Sequence, residues 1–126
     1  WNSNEELTGY PFVRNIHAPF TPMKRALPML NLGLISSAGA YIDGTEPFDL
    51  EAKDGDLSYR EIPVEVEASD LRYAAKGYKP ADVMVDRNSQ IPVDRLREYQ
   101  ANAVIGGLNS VWWSVSSHIP NARRAA

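Results

Sequence analysis

Val85-Asp86-Arg87-Asn88-Ser89-Gln90-Ile91-Pro92-Val93-Asp94-Arg95-Leu96-Arg97-Glu98 sets a polar, turn-forming cluster between a short β-type run and the start of a helix. In an α/β sheet ligands settle at such junctions, outside the carboxyl ends of the strands, where the free N–H groups of the next helix attract anions. Asp86, Arg87 and Asn88 bring a carboxylate, a guanidinium and an amide to a position where a small polar substrate can be gripped. Arg87 can pair with a carboxylate through its forked donors. A purely local role stays open beside this one: Asp86 and Asn88 making turn and capping hydrogen bonds, with Arg87 in solvent.

Downstream, Pro92 reads as the first position of a helix reaching about Ala103, with Val93, Leu96, Tyr99 and Ala103 near helical spacing and Gly106-Gly107 as the stop. Leu108 to Val115 is the next strand. Ser116-Ser117-His118-Ile119-Pro120-Asn121 then leads into a helix opening, Asn121-Ala122-Arg123-Arg124-Ala125-Ala126. One turn of helix is unstable alone in water, so the chain is expected to be a fragment or to have a partner that covers this turn.

Upstream, Val83-Met84-Val85 reads as a short buried strand after a turn at Lys79-Pro80-Ala81-Asp82. Residues 68–74 allow either a turn into a strand or a short helix. Tyr59 to Glu67 alternates with period two, and Pro63 confines it to an edge or a strand start. The acidic stretch 43–58 reads as a solvated loop. Leu30 to Ser36 is the first firm strand, followed by the small-residue loop Ser37-Ala38-Gly39-Ala40-Tyr41, which resembles the first βα turn of a nucleotide-type fold.

Residues 1–29 hold Pro11, Pro19, Pro22 and Pro28 and read as an extended arm whose Tyr10, Phe12, Val13, Ile16, Phe20, Met23 and Leu27 lie across a larger body. Residues 30–126 read as an α/β domain or half-domain. The expected fold is α/β, a Rossmann-like partial or small parallel sheet with an extended amino-terminal arm.

Composition narrows the function. With 126 residues, 44% hydrophobic and 23% charged, the chain has the size and make-up of one globular domain. A net charge of −3, from 13 basic and 16 acidic residues, argues against general binding to a nucleic-acid backbone. No run of 18 apolar residues is present to span a bilayer, and the amino end lacks the order of a secretory signal, so no membrane role and a cytoplasmic location are expected. The absence of cysteine excludes disulfides, thiolate metal sites and thiol catalysis within these residues.

Ser36 and Ser37, in Ser36-Ser37-Ala38-Gly39-Ala40, can cradle an anion through backbone N–H groups, although the loop lacks both the G-x-G-x-x-G pattern and a P-loop lysine. A tight-turn role is the alternative. His17 and His118 have no metal-ligand spacing around them, so no metal site is expected. His118, at a strand end, is the better general acid or base. Ser114, Ser116 and Ser117 near it suggest a hydrolase, but no G-x-S-x-G elbow exists. Trp112 and Trp113 put one ring on each sheet face, as core on both sides or as an aromatic wall for a cation.

Phe12-Val13-Arg14, Phe20-Thr21-Pro22, Leu34-Ile35-Ser36-Ser37-Ala38-Gly39, Tyr59-Arg60-Glu61-Ile62-Pro63, Asp86-Arg87-Asn88 and Ile91-Pro92-Val93-Asp94-Arg95-Leu96-Arg97, in this order and spacing, resemble the glycine/sarcosine/betaine/D-proline reductase selenoprotein B family from about residue 11 to residue 121. The resemblance implies an α/β domain and reductive cleavage of a C–N bond α to a carboxylate by a selenocysteine or cysteine. Asp86 and Asn88 match the family's Asp-x-Asn. The family's redox motif follows a further helix and strand, and this chain has no Cys. The redox thiol or selenol is therefore expected from a second polypeptide or a missing carboxyl-terminal portion, making a hetero-oligomer in the first case. This chain would supply the substrate side, Arg87 holding the carboxylate of a small amine or amino-acid-like substrate while Asp86 and Asn88 orient its amine. The alternatives are a non-catalytic subunit whose arm wraps a larger assembly, and a lyase or hydrolase using His118.

Overall fold

The fold is a small α/β arrangement. The computed structural model describes residues 16–120. Tyr10, Phe12 and Val13 of the expected arm, the Phe12-Val13-Arg14 motif and the helix opening at 121–126 lie outside the described residues.

Residues 16–26 form neither helix nor strand, and Ile16, Phe20 and Met23 stand exposed there. The strand expected over 30–36 is present as two short pieces, β1 (Asn31–Leu32) and β2 (Ile35–Ser36). The chain turns at Gly39 into β3 (Ala40–Ile42), crosses the acidic loop, and returns as β4 (Tyr59–Pro63) and β5 (Leu71–Tyr73). Helix α1 (Pro80–Val85) and helix α2 (Val93–Ala101) follow, then β6 (Gly107–Leu108) and β7 (Val111–Val115).

Parallel pairing, the expected core of the fold, joins β1 to β6 and β2 to β7. Two antiparallel pairs add to it: β4 runs along the other side of β7, and β3 pairs with β5. The register steps between the two parallel pairs. Asn31 lies opposite Gly107, whereas Ile35 lies opposite Trp113, so the later strand has gained two residues around Asn109-Ser110.

Val83-Met84-Val85 is the last half of α1 and not a strand. Pro80 occupies the first turn with Asp82 beside it, both favourable there, and Val83 alone of the three is buried. The second helix starts one residue later than expected, with Pro92 as its cap. It also ends sooner, at Ala101, because Ala103 takes a left-handed conformation (φ 55°) and lets the Val104 N–H reach back to the Tyr99 carbonyl. The turn role that glycine usually fills falls here to an alanine. Residues 40–41, expected as loop, begin β3.

Alternation along β7 divides the sheet. Trp112, Ser114 and Ser116 are buried, and with Ile62 of β4 they face the core of Ala38, Ala40, Leu71, Tyr73, Val83, Ile91 and Val93. Val111, Trp113 and Val115 face the other way and are half-buried, so core packing on both faces holds for Trp112 and not for Trp113.

The Ser114 hydroxyl is fully buried and has no hydrogen-bond partner among the described residues. An unsatisfied hydroxyl costs on the order of 1 kcal/mol or more in such a place. Ser114→Ala is accordingly expected to leave stability unchanged or raise it by about 1 kcal/mol, read as a higher urea midpoint; a lower midpoint would mean the hydroxyl has a partner.

Candidate functional site

Asp86 caps a 3-10 turn over Arg87–Ser89, its Oδ1 accepting from the Asn88 N–H at 2.9 Å and from Asn88 Nδ2 at 3.0 Å. Asn88 Nδ2 also donates to Asp94 Oδ2 at 2.9 Å, and Asn88 Oδ1 accepts from the Asp94 N–H at 3.2 Å. The local capping role considered for Asp86 and Asn88 is thus realised in the fold, and the same amide ties the turn to the first turn of α2.

Arg87 is 7% exposed and forks onto Asp94, Nε to Oδ2 at 3.0 Å and Nη2 to Oδ1 at 2.6 Å, while Nη1 donates to the Val66 carbonyl at 2.5 Å. The carboxylate that Arg87 grips is therefore the chain's own, and all three nitrogens donate within the chain. The paired hydrogen bonds from Arg87 hold the Asp94 carboxyl below its ordinary range despite partial burial, and the same bonds raise Arg87. Sequence reasoning placed Asp94 in the motif but gave it no role. Its signal was its position in the opening turn of a helix, seven residues after an arginine in a turn.

Ser36 and Ser37 on one side and His118 on the other lie elsewhere, on the segments that leave the carboxyl ends of the parallel strands β2 and β7. The Gly39 N–H donates to the Val115 carbonyl at 3.0 Å, and the Ala74 N–H donates to the Gly39 carbonyl at 2.9 Å, which draws the Ser36–Gly39 loop against the end of β7. Ser36 Oγ accepts from the Ala38 N–H at 3.3 Å; Ser37 is exposed. Ser116 Oγ is buried and bonds both the carbonyl and the N–H of His118, at 3.1 and 3.2 Å, fixing the backbone of a half-buried histidine.

Two further residues brace this end: Ser117, weighed from sequence only as a hydrolase serine, and Tyr78, not singled out. Ser117 Oγ donates to the Ala74 carbonyl at 2.9 Å and accepts from the Lys76 N–H at 3.2 Å. Tyr78 donates its hydroxyl to the Ala38 carbonyl, and burial, with Tyr73 nearby, pushes that phenol up to about 12. Of the three serines that suggested a hydrolase, Ser114 is sealed in the core and Ser116 and Ser117 are spent on backbone groups.

The two sets of candidate residues sit toward opposite ends of β7. Pro63 pairs with Val111 at the start of that strand, and the Val66 carbonyl that holds Arg87 follows just beyond Pro63. The loop carrying His118 leaves the other end. His17 lies exposed in the amino-terminal segment. Among the described residues no group of three or more His, Asp or Glu is placed to hold a metal ion, and no helix is long and apolar enough to cross a membrane. Among the described residues Arg60 lies over an aromatic ring, 4.4 Å from the centroid of Phe48.

No family model matches the chain. No solved structure matches it. Among curated proteins it is similar to the D-proline reductase subunit gamma of Acetoanaerobium sticklandii, 29% identical over 89 residues, which are 71% of this chain and 36% of that protein. The chain thus spans about a third of the length of the curated relative it matches.

Proposed function

We propose that this chain is the substrate side of a reductase-like enzyme that cleaves a C–N bond α to a carboxylate, with the redox thiol or selenol supplied by another polypeptide or segment. The observation that carries this reading is the 89-residue similarity to a D-proline reductase subunit. A chain without cysteine has no thiol of its own to give, which is why the electrons come from elsewhere. In this reading residues 1–29 are an arm and residues 30–126 the α/β body.

The end of the sheet outside β2 and β7 is the reacting end, as the position of ligands in parallel sheets suggests. There Ser36 and Ser37 bind the substrate and His118 delivers a proton to the departing amine. The Asp86 turn is a second binding element: Asp86 keeps an exposed carboxylate for an ammonium group, and Arg87 and Asn88 hold it in place.

The experiment is purification from source cells, intact mass of everything that co-purifies, and an assay of C–N cleavage with a dithiol reductant, read as ring opening of D-proline and as amine release from glycine and betaine. A Cys- or selenocysteine-bearing partner or longer chain with C–N cleavage supports the reading; a lone Cys-free protein without activity defeats it. His118→Gln is expected to lower kcat about a hundredfold with the fold intact, the usual worth of a general acid. Unchanged turnover would remove His118 from the chemistry.

One observation favours a second reading, a non-catalytic subunit. Phe20 and Met23 are 84% and 66% exposed, and apolar side chains in such number are rarely left in water. Gel filtration at the mass of a monomer, with the arm protected from protease, counts against it.

A further inference from the structure

The chain contains two Asp-Gly steps, Asp43-Gly44 and Asp54-Gly55, and no Asn-Gly. An aspartate followed by glycine is open to attack on itself, because glycine has no side chain to shield its nitrogen or to keep the backbone out of a tight ring. The fold treats the two steps differently. Gly44, with φ 81°, lies in the turn after β3, nothing comes within 4 Å of where its Cβ would be, and its N–H donates to Asp43 Oδ1 at 3.1 Å. The Asp43 side chain is thus already folded toward the next amide, and a rotation about χ2, a broad torsion in aspartate, turns its carboxyl carbon to face the nitrogen.

Gly55 is held where such a ring cannot close. Its N–H donates to the Ala52 carbonyl at 2.9 Å, and a Cβ on it would lie 2.9 Å from Ile119 Cα and 3.1 Å from the His118 carbonyl oxygen. Closing a ring there requires breaking that turn and parting the acidic loop from the segment that follows β7. The restraints at Asp43 are weaker. Arg72 Nη2 donates to Asp43 Oδ2 at 2.7 Å, but the two side chains are 35% and 57% exposed, and water screens such a pair. The Thr45 N–H to the Ile42 carbonyl, at 3.0 Å, and the Asp43 N–H to the Asp70 carbonyl, at 2.8 Å, complete the turn. Exposed turns of this kind open locally at little cost.

We propose that Asp43-Gly44 is a site of spontaneous backbone modification, at which the Gly44 nitrogen closes on Asp43 Cγ to give a succinimide that water reopens to isoaspartate. In the first step a C–N bond forms, the Cγ–OH bond of the protonated carboxyl breaks, and the hydroxyl leaves with the amide hydrogen as water. In the second, water adds to the former main-chain carbonyl of Asp43, its C–N bond breaks, and the nitrogen regains a hydrogen. Nothing is oxidised or reduced, and water is the only co-reactant. The product has one more main-chain carbon between Ile42 and Gly44, and its carboxylate sits directly on Cα, away from Arg72. β3 and β5 pair from Ala40–Tyr73 to Ile42–Leu71, so the change loosens the open end of a pair that carries core residues. The inference stands apart from the reductase reading.

The test incubates the purified full chain in heavy-oxygen water near neutral pH, where each passage through the ring leaves a solvent oxygen in the reacting aspartate. Trypsin digestion in ordinary water cuts after Lys53 and puts the two Asp-Gly steps on separate peptides, and fragmentation mass spectrometry locates the label. The expected result is label at Asp43 that grows with time and none at Asp54. In urea both are labelled, because the difference belongs to the fold. Gly44→Ala is expected to lose most of the label, and its urea midpoint shows that the variant is folded. A folded chain with no label at Asp43, or with equal label at both sites, overturns the proposal. So does an Asp54 that stays unlabelled in urea, or a folded Gly44→Ala variant that labels as fast as the wild type.

Discussion

Replacing Asp94 with Ala is expected to cost about 3 kcal/mol of folding stability, near the lower end for breaking a buried ion pair from one side. The acid is the costlier partner to remove, because Arg87 is 7% exposed and would be left charged without its hydrogen-bonded counter-ion, with only the unbonded Glu67 carboxylate in reach, whereas the Asp94 side chain is 37% exposed and water can take over part of its solvation. The same loss frees the Asn88 amide and unties the Asp86 turn from α2. Urea denaturation measures the effect, and a shift under about 1 kcal/mol would show that the pair contributes little more than a surface bridge.

The pH dependence has a definite sign. The folded-state Asp94 carboxyl is depressed from an ordinary value of 3.8, chiefly by the hydrogen bonds from Arg87. A depressed carboxyl contributes stability that is fully present above its unfolded value and is lost as pH falls through the folded value. The wild type and Asp94→Ala therefore differ fully at pH 5 and above and converge as pH falls below 3.8. A difference independent of pH in that window would mean the carboxylate is not the source.

Gly39→Ala is expected to be at least as damaging, on the order of 4 kcal/mol, combining a strained backbone with overpacking. Gly39 has φ 66°, and a Cβ there would lie 2.1 Å from the Ala74 carbonyl oxygen and 3.3 Å from the Ser117 N. Both neighbours are backbone, so neither can swing aside. Relief requires parting the loop from β7 and breaking the hydrogen bonds that Gly39 makes to Val115 and Ala74. Gly44→Ala is the control, since its φ is 81° but nothing lies within 4 Å of its added Cβ. The control isolates conformational strain, expected at about 1–2 kcal/mol; equal losses in the two variants would refute the packing account.

The elements with strong local patterns were legible from sequence. The apolar run before Ser36, the helix after Pro92 and the run through Trp112 were all placed within a few residues, and their order was enough for an α/β fold. What was hidden depends on distant partners. Nothing near Tyr59 says that β4 lies antiparallel on β7, and nothing near Ala40 says that it pairs with Tyr73. Val83-Met84-Val85 looked like a strand because three apolar residues have no period, and Pro80 decided for a helix. In the candidate site the polar turn was visible, but its guanidinium was read as outward-facing because the counter-ion sits across a helix junction. His118, Ser36 and Ser37 were named separately, and only the parallel pairing of β2 with β7 puts the segments that carry them at one end of the sheet.

The step in register between β1–β6 and β2–β7 constrains how this segment can change in length over evolution. Side chains along a strand alternate with a period of two, so the two residues gained near Asn109-Ser110 leave Leu108 and Trp112 pointing to the same side. Insertions or deletions here are tolerable in even numbers. A single added residue would turn Trp112 outward and drive Trp113, whose Nε1 donates to Glu61 Oε1, into the core.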